Sequence, residues 1–382
     1  MSKKKDKKKK QKKQEQQEIP KAIENTSART KKLVRWIVLC LMTLIVVFLS
    51  LHWIPGEIHY EIIETYSITA EDEGVLHLAV LLPTSGPYQE VSDPEITWPS
   101  PWNIDSAGRL DVLRMEADLQ GGEIVQAIIQ YRVNLSQGKA RWFGPLITPE
   151  DLSSTEDIQS DHPDIIAQAQ ALMENGDLSA SAQNIFNFTA RHLHWPREDR
   201  LDPDLSALSA YQSGVGGCTE HANLMSALCR AIDIPSRPVS GLAMPETLPF
   251  FTVSTTWGHP AAAHAWVELF VDDVWIMADP SWSGGIFKRD LYAWTDGRHL
   301  VYDTTAHEAQ VYESFESDAN QSGTLIAAMS APLRFVAWSE ESMEGASLSP
   351  EVTVRKTWDA RYIWMVSIIL IMIILNWVIK TK

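Results

Sequence analysis

The spacing of apolar positions changes several times along the chain, and the changes divide it. From Trp36 to Ile54, nineteen residues run without a charge, and Tyr362 to Ile379 gives eighteen more. Each run is about the length that crosses the hydrocarbon of a bilayer. Arg35 and Trp53 bracket the first, and Arg361, Trp377, Lys380 and Lys382 mark the ends of the second. These are the residue types that anchor a span at the interface. After the first run the pattern has a period of two. Tyr60–Tyr66, Val75–Leu82 and Gln126–Val133 read as strands, separated by turn signals such as Pro83-Thr84-Ser85-Gly86-Pro87. The period then lengthens to 3.6. Ile165, Ile166, Ala169 and Leu172 form the stripe of a helix that Asp161 or His162 caps, Pro163 opens and Gly176 ends. Further helices are expected at 179–192, at 203–211 and from Cys218 onward, the last with Ala222, Met225, Leu228 and Cys229 on its inner stripe. From Ser236 the period returns to two, through Ser236–Leu242, Phe250–Thr256, Ala263–Phe270 and, after a turn at Val271-Asp272-Asp273, Val274–Asp279. Residues 286–355 are weakly patterned, and only Ala331–Trp338 resembles a strand.

Helices followed by an antiparallel sheet make an α+β fold. The expected organisation is a tail at 1–32, a transmembrane helix at 33–54, a small β-rich domain at 56–145 and the α+β domain at 160–285. An extension at 286–360, a second transmembrane helix at 361–379 and a short tail at 380–382 follow.

Charge orients this arrangement. Residues 1–32 carry 13 Lys or Arg against 4 acids, whereas residues 55–360 carry 16 against 45. The positive-inside bias keeps both termini in the cytoplasm and exports the acidic body, so the expected location is the inner or plasma membrane with the folded domain on the periplasmic side. The lysine run is then a topology signal, and nucleic acid is not an expected partner. The tail itself is poor in apolar residues and reads as disordered.

Three cysteines are present. Cys40 falls within the first span. Cys218 and Cys229 share a helix face but stand roughly 16 Å apart along its axis, too far for a disulfide. An unpaired thiol in an exported domain draws attention, and Cys218 follows Gly214-Val215-Gly216-Gly217 at the start of a helix. The first N–H groups of a helix are unpaired and partly positive, so a thiol there is favoured as thiolate. Such a nucleophile needs a base, and the base needs an orienting acceptor. The hairpin supplies both. With a two-residue turn at Val271/Asp272 or Asp272/Asp273, even positions of the first strand face odd positions of the second, so His264 meets Asp279 or Ser281 on one side of the sheet. The N-terminus of the Cys218 helix is expected to pack against that same side. The Cys218 backbone N–H is a natural oxyanion donor, and Trp257 and His259 are candidates to complete the hole. Cys229, amid Leu228 and Ala231, reads as a buried hydrophobe. Zinc on Cys218, His221, His259 and His264 is an alternative, although the spacing follows no zinc pattern. No metal or cofactor is expected.

The blocks Gly-Val-Gly-Gly-Cys218, Ala227-Leu-Cys-Arg-Ala-Ile-Asp-Ile-Pro-Ser-Arg-Pro-Val239, His264-Ala-Trp-Val-Glu268 and Trp275-Ile-Met-Ala-Asp279-Pro280 resemble the transglutaminase-like superfamily of papain-related thiol enzymes. The resemblance covers about residues 160–285, with Cys, His and Asp in the family's order. It implies a papain-like core of helices packed on a sheet, with Cys218 as nucleophile, His264 as base and then acid, and Asp279 as orienter. It also implies a membrane-anchored cysteine hydrolase or acyltransferase acting on amide bonds of a protein or peptide substrate. The alternative is a non-catalytic binding or assembly module of the envelope that keeps the fold.

Overall fold

The computed structural model describes residues 30, 33–45, 55–174, 176–196, 204–248, 250–256, 258–283, 290–340 and 346–381. The chain groups into two units. One is Trp53–Arg361, and the other joins Met1–His52 with Tyr362–Lys382. In the second unit, residues 33–45 and Ala360–Thr381 are helical. Among the described residues, no helix is long and apolar enough to cross a membrane. Both expected spans are described only in part. Residues 46–54 lie outside the description, as do the side chains at 363–365, 372 and 375–380. The tail at 1–32 lies outside it too, apart from Thr30.

Two antiparallel sheets form a sandwich in the larger unit. One has seven strands, whose path runs Thr252–Thr256, Ser347–Asp359, Gly56–Thr69, Ile124–Lys139 and Trp294–Asp296, with Gln89–Val91 and Glu95–Thr97 also paired to Ile124–Lys139. The other has five, in the order Thr324–Met329, Phe335–Ser339, Gly74–Pro83, Leu110–Leu119 and Trp102–Ala107. Alternation decides the inner face. Ile58, Tyr60, Ile62, Tyr66 and Ile68 point inward from one sheet and meet Leu76, Leu78, Val80 and Leu82 from the other. Ile58 pairs with Asp359, and a Cβ placed on Gly56 would stand 3.0 Å from that of Ala360. The chain therefore enters and leaves the sandwich side by side.

The third sheet has six antiparallel strands. Its path is Leu291–Tyr292, Val274–Asp279, Ala262–Val271, Ser236–Ala243 and His299–Thr304, with Arg141–Trp142 paired to Val274–Asp279. The helices Pro163–Leu172, Leu178–His192, Ala207–Ser213 and Cys218–Arg230 cover one face. The first of these starts as expected. The His162 ring accepts from the Asp164 N–H, and Pro163 takes the first helical position. The hairpin turn is Asp272-Asp273, both at positive φ (52° and 61°). That is the geometry of a two-residue type I′ turn, which the short polar side chains of Asp tolerate.

Two findings depart from the sequence pattern. The extension at 286–360 supplies strands to all three sheets and a helix, Thr305–Ser322, that packs Tyr312, Phe315 and Ala319 on the outer face of the five-stranded sheet. That helix carries a thin apolar stripe. The inward positions of Ser347–Asp359 include Pro350 and Lys356 beside Leu348, Val352 and Val354, so its alternation is masked. Thr252–Thr256, next to the Ser236–Ala243 strand in sequence, crosses instead to the edge of the sandwich. Between the layers lies a buried ion cluster. Glu268 is fully buried and receives Arg109 in a two-pronged pair at 2.7 and 2.9 Å, with Arg237 at 2.8 Å.

Candidate active site

Gly217 is the N-cap of the Cys218–Arg230 helix, and Cys218 is its first residue. Glu220 folds back to accept the Gly217 N–H at 3.0 Å, and the His221 Nδ1 lies 2.6 Å from the Gly217 carbonyl. The last glycine of the turn is thus pinned from within the first helical turn, and the thiol is held where the helix end favours a negative charge. The thiol is partly exposed, whereas Cys229 is buried with its thiol pushed up by burial.

His264 Nε2 stands 2.9 Å from Asp279 Oδ2, with both side chains almost wholly buried. The ring nitrogen not used by Asp279 is left for Cys218, whose thiol the His264 ring lowers. The parity argument holds. The register pairs Val271 with Val274 through Val267 with Ala278, which places Trp266 opposite Asp279 and makes His264 a diagonal neighbour on the same side. The helix, however, packs on the other side. Its core partners on the Ala262–Val271 strand are the odd positions Ala265, Val267, Leu269 and Val271, whereas Trp266 and Met277 belong to a separate cluster. Cys218 therefore meets His264 around the start of the strand, where it also bonds to the Ala265 backbone.

The electrostatics favour a thiolate–imidazolium pair. Burial raises the Cys218 thiol, but the hydrogen bond and positive charge of His264 and the Ala265 bond outweigh it, and the pKa falls below the ordinary value. Burial lowers His264, yet the charge and hydrogen bond of Asp279 push it up to about 10. Burial opposes the charge on Asp279 as well, but His264 and His299 hold its carboxyl far below the usual range.

His299 is the residue that the sequence did not reveal. It is fully buried, with Nε2 3.1 Å from Asp279 Oδ2 and Nδ1 3.0 Å from Asp296 Oδ1. Burial lowers its pKa, but the two carboxylates outweigh that and raise it, so it bridges them as a cation. The other oxygen, Asp279 Oδ1, accepts from the Ser281 N–H at 2.9 Å, the Ser281 hydroxyl at 2.7 Å and the Trp282 N–H at 3.2 Å. Five donors thus converge on one carboxylate. The Trp282 ring lies over His264, 4.5 Å between centroids, and covers the His264–Asp279 bond. Trp282 stands three residues beyond Asp279, so its place in the hairpin could have pointed to it. His299 lies twenty residues beyond Asp279, in the weakly patterned extension.

The zinc alternative is not assembled by these contacts. His221 is tied to Gly217, and His259 uses Nδ1 to accept the Ala261 N–H while its Nε2 is buried without a partner. Burial and the charge of Arg334 lower His259 to about 3. Among the described residues no hydrogen bond joins it to Cys218, and Trp257 lies outside them. Ligand-type atoms of His264, Asp279 and His299 do fall within 4.8 Å of one another. Both rings, however, direct Nε2 at a single carboxylate oxygen at hydrogen-bond distance, an arrangement for sharing protons.

Residues 166–280 match the family model of the transglutaminase-like superfamily, whose members are generally cysteine-dependent enzymes. No curated protein sequence matches the chain. Among solved structures, a protein from Cytophaga hutchinsonii named as a candidate cysteine protease is similar at 15% identity, over 80% of this chain and 94% of that one, with a TM-score of 0.46. The periplasmic domain of TgpA from Pseudomonas aeruginosa is similar at 15% identity, over 62% of this chain and 91% of that one, with a TM-score of 0.32.

Proposed function

Because residues 166–280 form a transglutaminase-like domain, we propose that the chain is a membrane-anchored thiol enzyme that acts on amide bonds of a protein or peptide outside the cytoplasm, with Cys218, His264 and Asp279 as its triad. The observation that carries this is the 2.9 Å His264–Asp279 bond together with its effect on Cys218, the thiol lowered and the imidazole raised. The Cys218 thiolate adds to the substrate carbonyl. The oxyanion forms beside the unpaired N–H groups at the helix start. His264 gives its proton to the leaving amine, and a thioester to Cys218 remains. Water, or a second amine, loses a proton to His264 as it attacks the thioester. This releases the acid or the transferred amide and restores the thiol pair. Asp279 keeps the ring oriented throughout and favours its charged form before and after each turnover, with His299 and Ser281 fixing the carboxylate in turn.

Membrane anchoring is supported by the two uncharged runs and by their half-exposed apolar side chains, among them Leu41, Leu44, Leu370 and Ile374. It is also supported by the adjacency of Gly56 and Ala360, where the chain enters and leaves the sandwich. The basic tail favours cytoplasmic termini and an exported body.

The test is intact-mass trapping of an acyl adduct with a library of peptide substrates. Wild-type chain gains the acyl mass on Cys218, and Cys218→Ala gains none and loses turnover. Equal rescue of a deletion strain by wild type and Cys218→Ala would instead favour the non-catalytic module.

A further inference from the structure

We infer that the turn carrying Leu248, Phe250 and Phe251, together with Trp358, rests on the surface of the bilayer that the chain's own apolar ends enter. This rests on the membrane-anchored reading above.

These four side chains are exposed by 54, 69, 60 and 43%, in a body whose large apolar residues are otherwise mostly buried. Their position is set by register. Thr252 pairs with Arg355, and the Phe250 N–H donates to the Lys356 carbonyl. The turn therefore runs alongside residues 356–358, toward the Ala360 at which the terminal helix begins and against which Gly56 lies. Lys356 stands only about 13 Å before Ala360 along an extended strand. Phe250 has φ of 69°, a left-handed conformation that aromatic residues seldom adopt. The exposed rings thus cluster at the end of the sandwich where the chain would pass into an apolar phase. Amphipathic surfaces with Phe, Leu and Trp settle at that depth.

The charged side chains of this end are engaged with one another. Glu246 pairs with Arg298 at 3.3 Å and with Arg361 at 3.5 Å, and Asp359 pairs with Lys356 at 3.4 Å and with Arg361 at 2.6 Å. The contact is accordingly apolar and suits neutral phospholipid. It also has a consequence for the active site. From this turn the chain passes through Thr252–Thr256 to the strand that opens at Ala262, two residues before His264. A turn seated on the bilayer would hold the entry to that strand at the membrane surface and favour substrates presented there.

The experiment uses the full chain with Cys218→Ser, reconstituted in vesicles of neutral phosphatidylcholine. An environment-sensitive fluorophore is attached at Phe251→Cys, or at Leu248→Cys if the first variant folds poorly. The control is Ile124→Cys, exposed by 67% and paired with Thr69 at the far end of the strand that starts at Gly56. The parent without an added cysteine gives the background from Cys40 and Cys229. Blue-shifted emission at 251 that is quenched by lipids with a shallow nitroxide, with an unquenched 124 and little change on adding anionic lipid, is the expected result. A label at 251 that behaves like the one at 124, in vesicles that retain the chain through alkaline carbonate, overturns this proposal alone. Extraction of the chain by carbonate overturns the anchored reading and this proposal with it.

Discussion

Replacing Asp279 by Asn tests what holds the thiol ionised. The amide keeps the volume of the carboxylate and removes its charge. Asp279 is what raises His264 to about 10 against the cost of burial, so in Asp279→Asn burial prevails and the ring is neutral at pH 7. The thiol then loses the cation that offsets its own burial, and its pKa returns to the ordinary range or above. At pH 6 a thiol of pKa ~8.5 is about 0.3% thiolate. Alkylation of Cys218 by iodoacetamide at that pH should fall toward the rate of such a thiol, with the midpoint of the pH profile moved upward. The variant also carries a structural penalty. Oδ2 faces two imidazole donors and Oδ1 faces three donors from Ser281 and Trp282, so either orientation of the amide turns its NH2 toward other donors. Lost bonds to a charged acceptor are worth ~1.5–3 kcal/mol each, and a loss of about 3 kcal/mol in folding stability is expected. The assay follows the mass of the Cys218 peptide over time between pH 5 and 9, and urea unfolding monitors stability. A folded Asp279→Asn chain whose alkylation profile superimposes on that of wild type would refute the thiolate–imidazolium account.

The same pair predicts a pH dependence of stability. The folded pKa of His264, about 10, exceeds the unfolded ~6.5, so this group's stabilisation is fully present below ~6.5 and is lost as pH rises through about 10. In Cys218→Ala, the unfolding free energy should fall over that window by up to about 5 kcal/mol more than in Cys218→Ala/Asp279→Asn, and equal pH slopes would contradict it. His299→Gln takes the bridging cation from Asp279 and Asp296 and should cost about 3 kcal/mol in urea unfolding, and a change below about 1 kcal/mol would show that the bridge is dispensable. Glu268→Gln leaves the partly buried Arg109 and Arg237 guanidinium groups around a neutral amide, and a loss of about 3 kcal/mol is expected from the same measurement.

The parts of the site that the sequence revealed are those fixed by local geometry. The glycine turn, the helix start at Cys218 and the hairpin parity relating His264 to Asp279 each depend on residues close together in the chain. The face on which the helix packs was not legible, for a physical reason. In the Ala262–Val271 strand both faces are buried, the odd positions under the helices and Trp266 against Val239, Met277 and Val301. With large apolar side chains on both faces, Trp266 on one and Val267, Leu269 and Val271 on the other, the run shows that both are buried and leaves open which of them the helix takes. His299 was hidden by a second effect. Its strand, His299–Thr304, is added to the sheet by the extension, whose own pattern is diluted by Pro350, Lys356 and the sparse stripe of Thr305–Ser322.

The donors to Asp279 combine the two scales. His264, Ser281 and Trp282 come from the hairpin and its continuation, which the spacing of residues anticipates. His299, buried beside both carboxylates, comes from a strand that pairs with Ser236–Ala243 and lies three strands along the sheet from that of Asp279. The local motif therefore sets which groups meet, while the added strand helps fix how strongly the carboxylate is ionised. That ionisation in turn raises His264, and the raised His264 lowers Cys218. On this account, the reactivity of a thiol that a short glycine turn announces is set by a residue 81 positions further along the chain.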